Sequence, residues 1–434
     1  MGLARLQARG GQIFHQLIQW LYTAAIWLYA GGIAVAGSFN SKARKRHRGR
    51  KEGSLAGEPL SRRPLWFHCA SLGEFEQGRP LIEYCRKKYP EIPILLSFFS
   101  PSGYETRKNY PGVDRVVYLP ADLPKEVDSF LDAWNPRLAV FVKYEVWHNF
   151  FRRMHRRGIP LFLVSAIFRE KQIYFRPWGS WFRKSLSLVH TIFTQDDESV
   201  DRLRAVGITR AVKAGDTRFD RVIAVAEDAK PVPVVERFLN GRRAVVAGST
   251  WPEDEKLIVE YVKRKRPDAP AWVIAPHEMA PGYKKRLRAL FGEGTCFFSE
   301  KGDEEPGMGE VLVIDAIGLL STLYRYGAVN FVGGGFGAGI HNTLEPAVYG
   351  RPILFGPRYV KFREAKDLVN LGAAKSVGDA GEFHTALDAW LDDEVERNRA
   401  GSSAGEYVHA NRGATEIIMK AIESRPEMHG VDGE

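Results

Sequence analysis

Short, almost uninterrupted apolar runs recur along this chain, separated by longer stretches in which apolar residues return every three or four positions. In the first half the runs are Leu65-Trp66-Phe67-His68, Ile94 to Phe99, Val116 to Leu119, Leu138 to Val142, Leu161 to Val164 and Thr191 to Thr194. In the second half they are Ala244 to Ala247, Ala271 to Ala275, Val311 to Ile314, Ala328 to Val332 and Pro352 to Phe355. Runs apolar at every position, with helices between them, describe parallel strands covered on both faces. The break at residues 225–242, with Pro231, Pro233 and Gly241, reads as a hinge. The pattern predicts an α/β chain of two Rossmann-like units in tandem, whose ligands sit beyond the carboxyl ends of the strands in a cleft between them.

Ahead of the first run lies a different pattern. Residues 13–39 are apolar over a length sufficient to span a bilayer, which takes about 20 residues. Gln12, His15, Gln16 and Gln19 give its first turns one polar side, and Trp20, Tyr22, Trp27 and Tyr29 suit a membrane interface. Residues 42–51 then form a dense basic run that carries much of the net charge of +10. Basic residues beside an apolar segment mark a cytoplasmic membrane flank and touch anionic headgroups. Both a spanning anchor and an in-plane helix fit. The expected organisation is an anchor and basic flank over 1–53, a first unit over 54–230 and a second over 231–424. A nucleic-acid binder built on the basic run is the remaining reading of that charge.

The three cysteines, Cys69, Cys85 and Cys296, are far apart and odd in number. That argues against a disulfide framework or zinc ribbon and fits a reducing compartment. No metal-ligand spacing is visible among the eleven histidines.

Candidate chemistry gathers just after the predicted strands. Gly333 to Gly339 is a glycine-dense loop followed by Ile340-His341-Asn342-Thr343-Leu344-Glu345-Pro346, predicted to open a helix near Asn342. Such a loop can present backbone N–H groups to phosphate, with Glu345 accepting from ribose hydroxyls. It can equally serve close packing, with Asn342 and Glu345 forming a capping box. Ser249 and Thr250, then Pro276 and His277, then Ile317-Gly318-Leu319 follow three other strands and converge on the same nucleotide site. In the first half, Glu74 follows the tight turn at Gly73, where it is either a general base or the far end of a capping box on Ser71. Glu145 ends the fourth run as a salt-bridge partner or a second cleft carboxylate. Arg218 is either a surface arginine or one aimed at an anionic donor.

Together and in this order, the motifs His68-Cys69-Ala70-Ser71-Leu72-Gly73-Glu74, Tyr144-Glu145-Val146-Trp147, Ala247-Gly248-Ser249-Thr250 and His341-Asn342-Thr343-Leu344-Glu345-Pro346-Ala347 resemble the 3-deoxy-D-manno-octulosonic acid (Kdo) transferases of lipopolysaccharide synthesis. The resemblance runs over nearly the whole chain. It implies a GT-B glycosyltransferase that moves Kdo from CMP-Kdo to a lipid A precursor (lipid IVA), inverting and without a metal or other cofactor. It also implies a place on the cytoplasmic side of the cell inner membrane. On that analogy Glu74 is the base, Glu145 and Arg218 stabilise the transition state, and CMP lies against Ser249, Thr250, Pro276, His277, Ile317, Gly318, Leu319, Asn342, Thr343, Leu344 and Glu345. The chain departs from the family pattern at Lys143, Tyr144 and His148, at Glu278 where relatives carry His after Pro-Arg, and at Arg218 where lysine is common. The alternatives are a GT-B transferase with another nucleotide sugar, and a membrane protein that binds a nucleotide sugar without catalysis.

Overall fold

The computed structural model describes residues 2–429 except 37, 41–43, 47–48, 50–52, 56–57, 59, 265 and 302–308, and the side chains of residues 2–16 and 301. Most of the basic run therefore lies outside the described residues. The chain divides into two compact units, residues 1–221 with 413–434, and residues 222–412.

The first unit holds strands β1 (Leu65–Cys69), β2 (Ile94–Phe98), β3 (Arg115–Tyr118), β4 (Leu138–Val142), β5 (Leu161–Ala166), β6 (Thr191–Thr194) and β7 (Ala211–Lys213). They form one parallel sheet in the order β3-β2-β1-β4-β5-β6-β7. Every residue of β1, β2, β4 and β5 is buried. Alternate side chains therefore feed separate cores. Trp66, Ala139 and Phe141 pack with Phe130 and Phe150, while Leu65, Phe67 and Val140 pack with Phe75 and Leu81. Each such large apolar side chain contributes roughly 1.5–3 kcal/mol on burial.

The second unit repeats the plan. Strands β8 (Ala244–Thr250), β9 (Ala271–Pro276), β10 (Cys296–Phe297), β11 (Val311–Val313), β12 (Gly327–Val332), β13 (Ile353–Phe355) and β14 (Ala374–Ser376) form a parallel sheet in the order β10-β11-β9-β8-β12-β13-β14. In both sheets the first strand is central, and the chain fills one side before restarting on the other, with β11 inserted between β9 and the edge strand β10 in the second sheet. The switch point falls between β1 and β4 in the first unit and between β8 and β12 in the second. Loops leaving the carboxyl ends of such strand pairs are where doubly wound sheets bind ligands.

Three features differ from the sequence pattern. The segment read as a hinge contains the end of a helix, Thr217–Glu227, and a second one, Pro233–Leu239. Asn240 and Gly241 in left-handed conformation turn the chain into β8. The helix Ala414–Glu423 returns to the first unit, where Ile418, Met419 and Ile422 join the core that holds Cys85 and Leu81. The amino-terminal helix extends over Gly2–Ala36 and belongs to the first unit. Its stretch Leu17–Ala36, of mean hydropathy 1.3, is long and apolar enough to cross a membrane.

Candidate active site

Glu74 is set by the turn that leaves β1. Ser71 caps the helix Leu72–Lys88, its hydroxyl accepting from the Glu74 amide at 3.4 Å. The Glu74 carboxylate folds back to accept from the Ala70 amide. The capping arrangement and a buried acid therefore coexist in one residue. Glu74 is only 9 % exposed. Burial, and next the negative charge of Glu145, push its carboxyl up to about 7, against the downward pull of the Ala70 amide and the Lys143 charge. A carboxylate that titrates near neutrality at a strand terminus is suited to taking a proton.

Glu145 leaves β4, the strand beside β1, and so enters the same switch point. Its Oε2 accepts from the Trp147 indole at 2.9 Å and lies 3.6 Å from Nε2 of the fully buried His68. The Trp66 indole donates to Ser97 Oγ, which lies 2.8 Å from His68 Nδ1. Ser97 can thus give its one proton to Nδ1, leaving an Nε2–H turned toward Glu145. Lys143, between them in sequence, holds φ +62°. That left-handed turn ends β4 abruptly, and a β-carbon there stores strain of the kind that collects at working sites.

Arg218 is fixed by Asp216 rather than left as a loose surface cation. Its Nε donates to Asp216 Oδ2 at 2.9 Å, and a terminal nitrogen reaches the same oxygen at 2.7 Å. Burial alone would raise the Asp216 carboxyl, but the Arg218 guanidinium holds it below the usual carboxylate range. Gln77, one turn beyond Glu74 on the same helix, donates to Asp216 Oδ1 at 3.1 Å. The base candidate and the arginine thus share one scaffold.

In the second unit the loops of the switch point meet in an aromatic stack. Trp251 follows Ser249 and Thr250 directly after β8, and its ring stacks on His277 with centroids 4.7 Å apart. His277 in turn lies 4.3 Å from the ring of His341. The Trp251 indole donates to His341 Nε2 at 3.2 Å. Burial, then the neighbouring His277, lower the His341 ring to about 4. Beside the stack opens a cavity of about 320 Å³ lined by Thr250, Trp251, Glu278, Tyr283 and Arg286 among others. Arg286 is paired with Glu255, which is fully buried.

The glycine-dense loop is built for contact. A β-carbon on Gly333 would come within 2.3 Å of the Ser249 carbonyl, and one on Gly335 within 2.6 Å of the Gly356 backbone. Asp254 accepts from the amides of both Trp251 and Gly334, tying β8 to the loop after β12. The amides of Gly337, Gly339 and His341 bond to carbonyls of Gly333 and Gly334. These amides therefore hold the loop and are not turned to a phosphate. The helix expected at Asn342 is a single turn, Leu344–Ala347. Gly350, at φ +64°, and Pro352 redirect the chain into β13 before a second turn forms. Asn342 donates its side-chain amide to Glu345 at 3.1 Å and accepts from the Leu344 amide. Thr343 and Leu344 are buried, so their side chains face the protein interior.

Pro276 closes β9, and Gly318 adopts φ +92° in the loop after β11. There Ile317 stands 93 % exposed and Leu319 is half-buried. Among the described residues, no group of three or more His, Cys, Asp or Glu side chains could hold a metal ion.

Sequence reasoning assigned no role to His68, Trp251, His341, Asp254 or Arg286. Trp251 and His341 stood in or beside the recognised motifs, and an aromatic directly after a strand is the available signal. Arg286 lies a helical turn inside Tyr283–Phe291, where nothing in the spacing points inward.

Residues 41–221 match the family model for 3-deoxy-D-manno-octulosonic-acid transferase (kdotransferase). The chain is 27% identical over 393 residues to a 3-deoxy-D-manno-octulosonic acid transferase of Bordetella pertussis, covering 86% of this chain and 90% of that protein. It is 28% identical over 335 residues to one of Aquifex aeolicus, covering 75% and 86%. Among solved structures, UDP-GlcNAc 2-epimerase of Neisseria meningitidis bound to UDP-GlcNAc superposes with a TM-score of 0.56 at 13% identity, covering 83% of this chain and 100% of that one. That likeness concerns the fold, the two-unit GT-B arrangement of parallel sheets. Over residues 41–221 by the family model, and over most of its length by these relatives, the chain is similar to the 3-deoxy-D-manno-octulosonic acid transferases, which are glycosyltransferases.

Proposed function

We propose that the protein transfers Kdo from CMP-Kdo to a lipid A precursor, lipid IVA, with inversion and without a metal, on the cytoplasmic face of the inner membrane. The observation that carries this reading is Glu74: a carboxylate buried at the switch point of the first sheet and raised to about 7. In the proposed reaction an acceptor hydroxyl oxygen forms a bond to the anomeric carbon of Kdo. The bond from that carbon to the CMP phosphate oxygen breaks, CMP leaves with the electron pair, and Glu74 takes the hydroxyl proton. CMP is a stable anion, so positioning and one proton transfer are the main tasks. Arg218, held at fixed geometry by Asp216, and Glu145, beside His68, would face charge that develops in the transition state. The stack of Trp251, His277 and His341, with Ser249, Thr250, Pro276, Ile317 to Leu319, Asn342, Glu345 and the backbone of Thr343 and Leu344, would hold the nucleotide.

The test is transfer by the purified full chain from CMP-Kdo to a tetraacylated lipid A precursor with a chelator present, products read by mass. A product heavier by one or more Kdo units is expected. No transfer, where a known transferase works alongside, would overturn the donor and acceptor assignment. Activity that appears only when divalent metal is restored would overturn the metal-independent mechanism alone.

A further inference from the structure

The amino-terminal helix is bound along its side to the first unit. Its half-buried positions are Ile18, Gln19, Tyr22, Thr23, Ile26, Ala30, Ile33 and Ala34, which recur every three to four residues and make one stripe. Specific contacts fix that stripe. The Tyr22 hydroxyl donates to Asp122 at 2.7 Å, and the Tyr22 ring meets His148 and Trp181 at 5.9 and 5.3 Å. Arg152 bonds to the Gln19 side chain, and Arg46 lies over the rings of both Tyr29 and Phe99. The opposite face carries Leu17, Trp20, Leu21, Trp27, Leu28 and Val35, all between 56 and 78 % exposed.

A helix crossing the bilayer along Leu17–Ala36 would draw its bonded side into hydrocarbon as well. That would take the half-buried Arg152, bonded to Gln19, out of water, at several kcal/mol for an uncompensated charge. Lying in the interface satisfies both faces at once, since one stripe keeps its protein partners and the other enters the headgroup boundary. Trp178, 66 % exposed and three residues from Trp181, extends the apolar strip onto the body of the unit. Around it Arg169, Lys171, Arg176 and Lys184 are exposed, as are Arg44 and Lys45 beyond the helix end. Basic residues around exposed tryptophans complement anionic lipid.

We propose that Gly2–Ala36 is an in-plane helix that lays the first unit flat on an anionic lipid surface, with Trp20, Trp27 and Trp178 at the headgroup level. This deepens the membrane reading above and rests on it. The connection reaches the candidate site. Asp122, which holds Tyr22, also accepts from the Asn149 and Phe150 amides at the start of the helix His148–Arg156, three residues beyond Glu145.

The experiment uses the full chain in inverted inner-membrane vesicles, whose cytoplasmic face points outward, with an impermeant maleimide. The native cysteines Cys69, Cys85 and Cys296 are buried, so labelling reports introduced ones. Ala4→Cys and Ser38→Cys, at the two ends of the helix, should both label without detergent. Ala4→Cys protected until detergent is added, with Ser38→Cys accessible, means a spanning helix and overturns the proposal. Purified protein should also float with vesicles containing anionic lipid and less with neutral ones. Equal flotation overturns the anionic surface, whereas no flotation with either sinks the underlying membrane reading itself.

Discussion

The indole N–H of Trp251 donates to Nε2 of His341, which fixes His341 as a neutral ring with its proton on Nδ1. A neutral ring keeps the stack of Trp251, His277 and His341 free of charge repulsion. Trp251→Phe retains an aromatic face and removes only the donor. A single hydrogen bond of about 0.5–1.5 kcal/mol predicts a rise in donor KM of roughly two- to twelvefold, with kcat little changed. Steady-state kinetics over donor concentration checks this. A fall in kcat at unchanged KM would instead place Trp251 with the reacting groups.

Glu74 should govern the pH profile. As a base it acts deprotonated, so kcat/KM should rise through pH about 7 and level off above it. Glu145 raises Glu74, so Glu145→Gln should move the rising limb to lower pH. Glu74→Gln should abolish transfer while CMP-Kdo binding stays nearly intact. An unmoved limb in Glu145→Gln would remove the electrostatic link between the two carboxylates.

The same acid makes a stability prediction with a definite sign. Between pH 4.5, its ordinary value, and about 7, the folded protein holds a proton that the unfolded chain has released. Stability therefore falls as pH rises through that window, by at most ~3 kcal/mol. Glu74→Gln should raise Tm at pH 8 and leave it nearly unchanged at pH 4. Thermal scans at the two values decide it.

Asp216 is buried and Arg218 is its counter-ion. Asp216→Asn leaves the guanidinium without its clamp, and a loss of about 3 kcal/mol in stability is expected. Arg218→Lys keeps charge without the two-point hold, so activity should fall while the fold survives. Chemical denaturation and transfer assays of the two variants separate these effects. Full activity in both would return Arg218 to an ordinary surface role.

Ile418 is fully buried against a core formed by residues more than two hundred positions earlier in the chain. Ile418→Asp should cost about 3–5 kcal/mol or more, and should expose the first unit to protease before the second. Limited proteolysis with mass identification of the first cuts measures it. First cuts within 222–412 would contradict the assignment of the last helix to the first unit.

The long strands were legible because a parallel strand buried on both faces is apolar at nearly every position. Strands β7, β10 and β14 were not. They are two or three residues long and close to sheet edges, and Val212 and Lys213 are exposed, so no apolar run marks them. Glu74 and Glu145 were visible as post-strand carboxylates. Their approach depends on β1 and β4 being neighbours, which is a property of strand order and not of local pattern. The single turn at Leu344 was hidden because a glycine-rich loop before Asn-Thr-Leu-Glu predicts a helix start and is silent on its length. The aromatic stack joins three loops, and only the sheet brings these together.

The amide of Gly413 and that of Thr415 both bond to Asp220, at 2.6 Å, so the helix Ala414–Glu423 is capped by a residue at the end of the first unit's earlier segment. Its partners Cys85 and Leu81 leave the ribosome long before it does, and residues 222–412 must be made in between. Domains that are continuous in sequence can close as they emerge, amino-terminal first. Here the unit bearing Glu74 waits for the helix Ala414–Glu423 with an apolar face uncovered, so the whole of the second unit must be translated before the first is sealed.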